Sequence, residues 1–275
     1  NKILMPALFL ILIVLLVRAV TMPGAGKGLA FFLVPDFSKV SARTFLDAIS
    51  QAFFSLSIGM GAMLTYGSYL KKEENLPSAA LYVVLLDTSA AVLAGLMIMP
   101  AVFAAGLSPS AGPGLTFITL PAVFAAMPGG VFFGVLFFAL LAIAALTSAI
   151  SILEPLVAYC VDEHRMSRTH VVVVASLICF LLGVPASLSF GQWSGVHIIG
   201  ERGIFDSLDF LANSVLLPVG GLLTALFAGW IWGPRALAAL NNDGKLAQSW
   251  APLWLFVLRF IAPLGIAWIL LANIL

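Results

Sequence analysis

Charge is what this 275-residue sequence has least of: Asp, Glu, Lys and Arg make up 9% of it, against 62% apolar residues. A soluble domain carries about 25% charged residues. So few charges cannot build a water-facing surface for a chain of this length, and lipid must be the solvent for most of it. A net charge of +1 offers no attraction to nucleic acid or to an acidic partner. Two cysteines occur, Cys160 and Cys179, each inside an apolar run. They read as small buried hydrophobes and exclude a disulfide framework. The histidines, His164, His170 and His197, follow no metal-ligand spacing. No phosphate-binding glycine loop, catalytic triad or nucleophile elbow is present, so neither covalent chemistry nor an organic cofactor is expected. Alternation with a period of two is also missing, which excludes a transmembrane barrel. The chain opens on Asn1, and no small-residue cleavage site follows its first apolar run. A signal peptide is therefore not expected, and a missing N-terminal portion is.

What is present is apolar sequence in long runs. A membrane-spanning helix needs roughly 20 mostly apolar residues. Seven stretches qualify: about 3–22, 44–70, 78–106, 130–161, 169–186, 206–232 and 251–275. The sequence predicts an all-α integral membrane protein with about seven transmembrane helices in a single domain over 1–275. The second, third, fourth and sixth stretches exceed the bilayer, so they tilt, break or extend beyond it. Short loops set the orientation. Lys71-Lys72-Glu73-Glu74, the 162–168 loop and the segment around Arg235 and Lys245 lie on one side, whose basic residues make it cytoplasmic. The first helix then runs from inside to outside, and the C-terminus lies outside. The external segment 107–128 has no charge, is broken by Pro109, Pro113, Pro121 and Pro128, and predicts a short apolar helix over 115–127. It either packs on the outer rim or dips into an aqueous vestibule.

Three places could carry function. The second stretch contains Ser55, Ser57, Gly59 and Gly61 at membrane depth. A break there frees carbonyls of one half-helix and N–H groups of the next, which lipid tolerates only where they line a cavity. A broken helix thus offers a cation site at one half-helix end and a carboxylate site at the other. The plain alternative is close packing of small residues on a neighbouring helix. Asp87 stands inside the third stretch, where a lone carboxylate costs roughly 2.5–3.5 kcal/mol and must face a cavity, a partner or an ion. A protonated, hydrogen-bonded Asp is the alternative. Thr147 and Ser148 lie midway along the fourth stretch. Helical hydroxyls commonly bond back to the preceding turn, but with a carbonyl one turn earlier they also make hard oxygen ligands for a small cation. Glu154, Asp162 and Glu163 at the end of the fourth stretch, and Asp206 and Asp209 at the start of the sixth, read as solvated helix ends. The last two complement the helix dipole; Asp162 and Glu163 oppose it, which points to a cationic partner.

At these residues the chain resembles the neurotransmitter:sodium symporters, especially their bacterial amino-acid members. The string Gln51 to Tyr69 resembles the family's broken sixth helix, and Leu86-Asp87-Thr88 through Gly95 its seventh. Phe117-Ile118-Thr119-Leu120-Pro121 is similar to the fourth external loop, and Ala145-Leu146-Thr147-Ser148 with Glu154-Pro155 to the eighth helix. Leu208-Asp209-Phe210 matches the start of the tenth, and Arg259-Phe260 with Pro263 the eleventh. The match begins at the fifth helix, so the first four have no counterpart here. The resemblance implies part of an inverted-repeat sodium symporter fold, broken near 55–61, with a binding site at mid-membrane.

By position, the resemblance assigns Ser55 and Asp87 to a first sodium site, and Ala144 (through its carbonyl), Thr147 and Ser148 to a second. Phe54, Ser57, Met60, Ser148 and Ile152 line the substrate pocket, and Phe54 closes it from outside. Asp209 is the acidic half of an outer gate. Asp162 is the inner gate, assisted by Ser68 and Tyr69. The function implied is sodium-coupled symport of a neutral, hydrophobic amino acid at the plasma membrane, with sodium ions as the only cofactor. The implied partners are the amino-acid substrate, the lipid bilayer and the missing N-terminal helices of the same protein. Many relatives have a neutral amide at the position of Asp87, so a carboxylate there implies transport without chloride. A channel with a glycine-rich filter, and a seven-helix receptor, are the rival readings; no retinal-binding Lys occurs in 251–275.

Overall fold

The structure, a computed structural model, describes residues 3–71, 73–107, 114–240 and 249–274. Lys72, Pro109, Pro113 and Lys245, named above as loop residues, lie outside the described residues. In chain order the first helices are α1 (Leu4–Val20), α2 (Ala25–Leu33), α3 (Ala42–Ser55), α4 (Ala62–Ser68), α5 (Leu76–Ala104), α6 (Leu120–Ala126), α7 (Gly130–His164) and α8 (Arg168–Leu188). Two further long helices, Ile204–Ile231 and Ala251–Ala272, complete the set, with the short Gly233–Leu240 between them.

Among the described residues, five helices are long and apolar enough to cross a membrane: α5, α7, α8, Ile204–Ile231 and Ala251–Ala272. The first expected stretch forms α1, which stops at 17 residues. Pro23 and Gly24, the latter at φ +88°, end it and turn the chain through 116° into α2. The second forms α3 and α4 with a break between them. The long helices carry many large apolar side chains on their exposed faces. Val131, Ile231 and Leu264 are 86%, 75% and 72% exposed, which suits a lipid surround and not water. The protein is an integral, multi-pass membrane protein. The lipid also corrects one expectation: Cys179 is exposed and Cys160 only partly buried, because an apolar run in a bilayer need not be buried in protein.

The chain divides into two units, 1–40 with 84–150, and 41–83 with 151–275. In the first, α1, α5, α6 and α7 close on a core of Leu12, Leu15, Met97, Val102, Leu120, Val123 and Phe137. Here α2 lies on α5 so closely that a Cβ on Gly28 would stand 2.4 Å from the Met99 carbonyl oxygen. In the second unit, a small hairpin pairs His197–Ile199 with Arg202–Gly203. Buried Ser207 pins it, donating to the Arg202 carbonyl and accepting from the Ile199 N–H.

Proline explains an irregularity that hydropathy cannot show. Among the described residues, four widened, π-type turns occur, Leu115–Thr119, Phe210–Leu216, Phe227–Ile231 and Val257–Ile261. Each is followed within three residues by a proline: Pro121, Pro218, Pro234 and Pro263. Proline has no N–H and its ring crowds the carbonyl four residues back, so the preceding turn opens.

Candidate functional site

The break between α3 and α4 is built by backbone chemistry. The Ser57 N–H bonds the Phe54 carbonyl at 3.1 Å and the Ile58 N–H bonds the Phe53 carbonyl at 2.9 Å. This is a Schellman stop, in which the residue after the cap takes the left-handed conformation usually given to Gly. Ser57 occupies it, at φ +54°. Gly59 and Gly61 follow at +86° and +82°, and Gly61 caps α4. The expected non-helical backbone over 55–61 is therefore present, with Ser55 as the last helical residue. Gly61 faces Pro155 of α7, where an added Cβ would lie 3.4 Å from the proline Cβ. Ser55, Ser57 and Met60 are all partly buried along this stretch, and Phe54 is half exposed.

In the other unit, Thr147 is buried within α7, and its Oγ1 donates to the carbonyls of Ala144, at 2.9 Å, and Ile143, at 3.1 Å. The back-bond uses the hydroxyl hydrogen, whereas a cation would use an oxygen lone pair, so the two roles do not compete. The Thr147 and Ala144 oxygens are close enough to share one coordination shell, and hydroxyl and carbonyl oxygens are the donors a hard monovalent cation takes. Ser148, beside them, is exposed. Asp87 is partly buried in the uninterrupted helix α5, 11 residues beyond its first residue, Leu76. The expected residues thus fall into two sets. Asp87, Ala144, Thr147 and Ser148 belong to the first unit; Phe54, Ser55, Ser57, Met60 and Ile152 belong to the second.

The residues expected at the gates show a pairing that sequence did not reveal. Glu154 stands ten residues before the end of α7, with its side chain only 13% exposed. Its two oxygens accept from the Tyr69 hydroxyl at 2.8 Å and from the Arg168 guanidinium. One turn along, the Tyr66 hydroxyl donates to Ser151 Oγ at 2.9 Å, so two tyrosines of the second half-helix grip α7. Tyr69, expected beside Asp162, is engaged by Glu154, while Asp162 is exposed near the end of α7 and Ser68 bonds back to the Thr65 carbonyl. The signal for Glu154 was its position just before Pro155, inside the apolar run and not beyond it. In the same unit, Asp209 is exposed and accepts from Asn213 Nδ2 at 2.6 Å, and Arg202 lies 3.9 Å from the centre of the Phe210 ring.

Comparison with known proteins extends this geometry. The model of the sodium:neurotransmitter symporter family matches residues 2–275. A sodium-dependent transporter of Bacillus subtilis (strain 168), YhdH, is 40% identical over 267 residues, covering 97% of this chain and 59% of its own length. One from Haemophilus influenzae is also 40% identical, over 274 residues, with 99% and 59% covered. A sodium- and chloride-dependent glycine transporter 2 of Xenopus laevis is 27% identical over 279 residues, 33% of its length. The crystal structure of MhsT in complex with L-phenylalanine superposes with a TM-score of 0.88 at 49% identity, covering 99% of this chain and 62% of that one. The chain spans about six tenths of the length of the first two relatives.

Proposed function

The chain belongs to the sodium:neurotransmitter symporter family, whose members are transporters and not enzymes, and from that premise we propose that it serves sodium-coupled symport of a neutral, hydrophobic amino acid by alternating access. The observation that carries the proposal is the break at 56–61 between α3 and α4, in a stretch that the sequence predicts to span the membrane. Open backbone there is costly in lipid and is retained where it binds something. The reading gives Ser55, Asp87, Ala144 (through its carbonyl), Thr147 and Ser148 to sodium, and Phe54, Ser57, Met60, Ser148 and Ile152 to the amino acid. Met60 and Ile152 carry no charge, which suits an apolar substrate side chain. MhsT, 49% identical, was crystallised with such an amino acid. Asp209 and Asp162 act as the outer and inner gates, and Glu154, with Tyr69 and Arg168, joins the inner one. These residues work together with the portion of the relatives that this chain does not span.

Sodium's chemical role is to place positive charge where substrate and protein carboxylates need it. The protein's role is to supply oxygens in fixed positions, so that binding of the ion favours one conformation over the other. The test is equilibrium binding of L-phenylalanine to the protein expressed from its complete reading frame, as a function of sodium concentration. Affinity should rise steeply with sodium and be lost in choline. Replacing Thr147 and Ser148 together by Ala should shift the sodium response to higher concentration while expression is kept. Equal affinity in sodium and choline would refute the coupling.

A further inference from the structure

The long helix Ile204–Ile231 meets the break with backbone and not with side chains. A Cβ on Gly220 would lie 2.3 Å from the Gly59 carbonyl oxygen and 3.3 Å from the Gly59 Cα. Seen from the other partner, a Cβ on Gly59 would lie 2.4 Å from the Leu217 carbonyl oxygen and 2.8 Å from the Gly221 nitrogen. A Cβ on Gly221 would meet the Phe53 ring at 2.4 Å. The stretch 217–221 therefore touches both the last turn of α3 and the middle of the break. Its own shape is fixed, because buried Pro218 ends the widened turn Phe210–Leu216.

We propose that 217–221 is the seat that positions the broken helix, with Gly220 as its positioning residue. The missing side chain of Gly220 sets where Gly59 lies, and hence where Ser55, Ser57 and Met60 present their groups. The atoms in conflict at Gly220 and Gly59 are backbone, so no rotamer change relieves an added methyl. Relief takes a shift of about 1 Å, and a misplacement of that size at a site can cost about a hundredfold. At Gly221 the obstacle is the edge of the Phe53 ring, a side chain that can turn aside. The two glycines therefore differ in a way that mere packing of small residues would not produce. What Ser55, Ser57 and Met60 bind rests on the transport reading above; the seat itself rests only on the backbone contact.

The test compares G220A, G221A and G183A in the protein expressed from its complete reading frame. A Cβ on Gly183, in α8, would meet nothing within 4 Å, so G183A is the control. Two quantities are measured: amide hydrogen exchange over 53–62, and KM and kcat for sodium-driven uptake of L-phenylalanine. G220A should speed exchange over 56–61 severalfold and raise KM about tenfold to a hundredfold, with a smaller effect on kcat. G221A should do less, and F53L should restore it. G183A should match the unaltered protein in both. Exchange and KM in G220A equal to those of G183A would overturn the proposal. If G220A does not reach the membrane, the cycle of G221A with F53L decides, and effects that add without compensation overturn it. If the unaltered protein transports nothing, the transport reading fails, and the exchange data still support or sink the seat.

Discussion

At Ser57 the chain accepts φ +54° with a side chain that has to be carried there. A left-handed turn costs a non-glycine residue roughly 1–2 kcal/mol, and such cost persists where function requires the side chain. Ser57→Gly should accordingly raise the unfolding free energy by about 0.5–1 kcal/mol while weakening amino-acid binding. A variant that is no more stable than the parent would mean that Ser57 carries no such cost. Glu154 makes the opposite case. Ser57 stores cost, whereas Glu154 is held by two donors, Tyr69 and Arg168. Glu154→Gln keeps an oxygen for Tyr69 but leaves Arg168 without a charge partner. Its Tm should fall by more than that of Tyr69→Phe, since the substitution weakens both charge-assisted bonds to the 13%-exposed carboxylate and Tyr69→Phe removes one. Equal losses in the two variants would place the stability in the hydroxyl bond instead. The sodium role proposed for Asp87 bears on chloride. A fixed carboxylate at a sodium site already supplies the negative charge that an anion would bring, and a second anion beside it is repelled strongly inside protein. Ala91, one turn on, offers no hydroxyl to hold one. Uptake should persist when gluconate replaces chloride, and its loss in gluconate would contradict this role of Asp87.

Among elements, the helices Ile204–Ile231 and Ala251–Ala272 hold each other by two hydrogen bonds, one of them to a carbonyl four residues before a proline. Pro263 cannot donate to the Arg259 carbonyl four residues back, and Trp230 Nε1 donates to that oxygen at 3.2 Å. In return, Arg259 Nε donates to the Gly229 carbonyl, in the widened turn before Pro234, at 2.6 Å. An unmet carbonyl costs about 1–3 kcal/mol, so Trp230→Phe should lower stability by an amount in that range. Pro263→Ala supplies a helical N–H to the same oxygen, and in that background Trp230→Phe should cost clearly less. An equal cost in both backgrounds, read by thermal unfolding in detergent, would break the link between proline and tryptophan. This element-level logic was only half legible in the sequence. The long apolar runs gave α5, α7, α8 and the last two long helices nearly to their ends, because hydropathy is a local sum. The Ser-Gly cluster gave the break, because glycine signals φ above zero locally. The π-type turns, the helix α2 and the Tyr69–Glu154–Arg168 grouping were not legible. The turns carry a local mark in the proline that follows each, which hydropathy does not weigh; the other two depend on which residue meets which across helices, and Glu154 and Arg168 are 14 positions apart.

At the scale of the whole molecule, the candidate residues are shared between two compact units, and α5 and α7 run through both. Thr147 and Ser148 stand at the edge of one unit, and Ser151 and Ile152 begin the other, all on α7. Sodium-coupled symport, as proposed, requires that binding of the cation and binding of the amino acid be coupled. Coupling of this kind is reciprocal, so sodium must tighten amino-acid binding by the factor by which the amino acid tightens sodium. The most direct test of the central claim is uptake of radiolabelled L-phenylalanine into proteoliposomes holding the protein expressed from its complete reading frame, under an inward sodium gradient. The account predicts accumulation above the external concentration that collapses when choline replaces sodium or when an ionophore dissipates the gradient. Accumulation that is the same in choline, or uptake that only equilibrates without ever concentrating the amino acid, would contradict it.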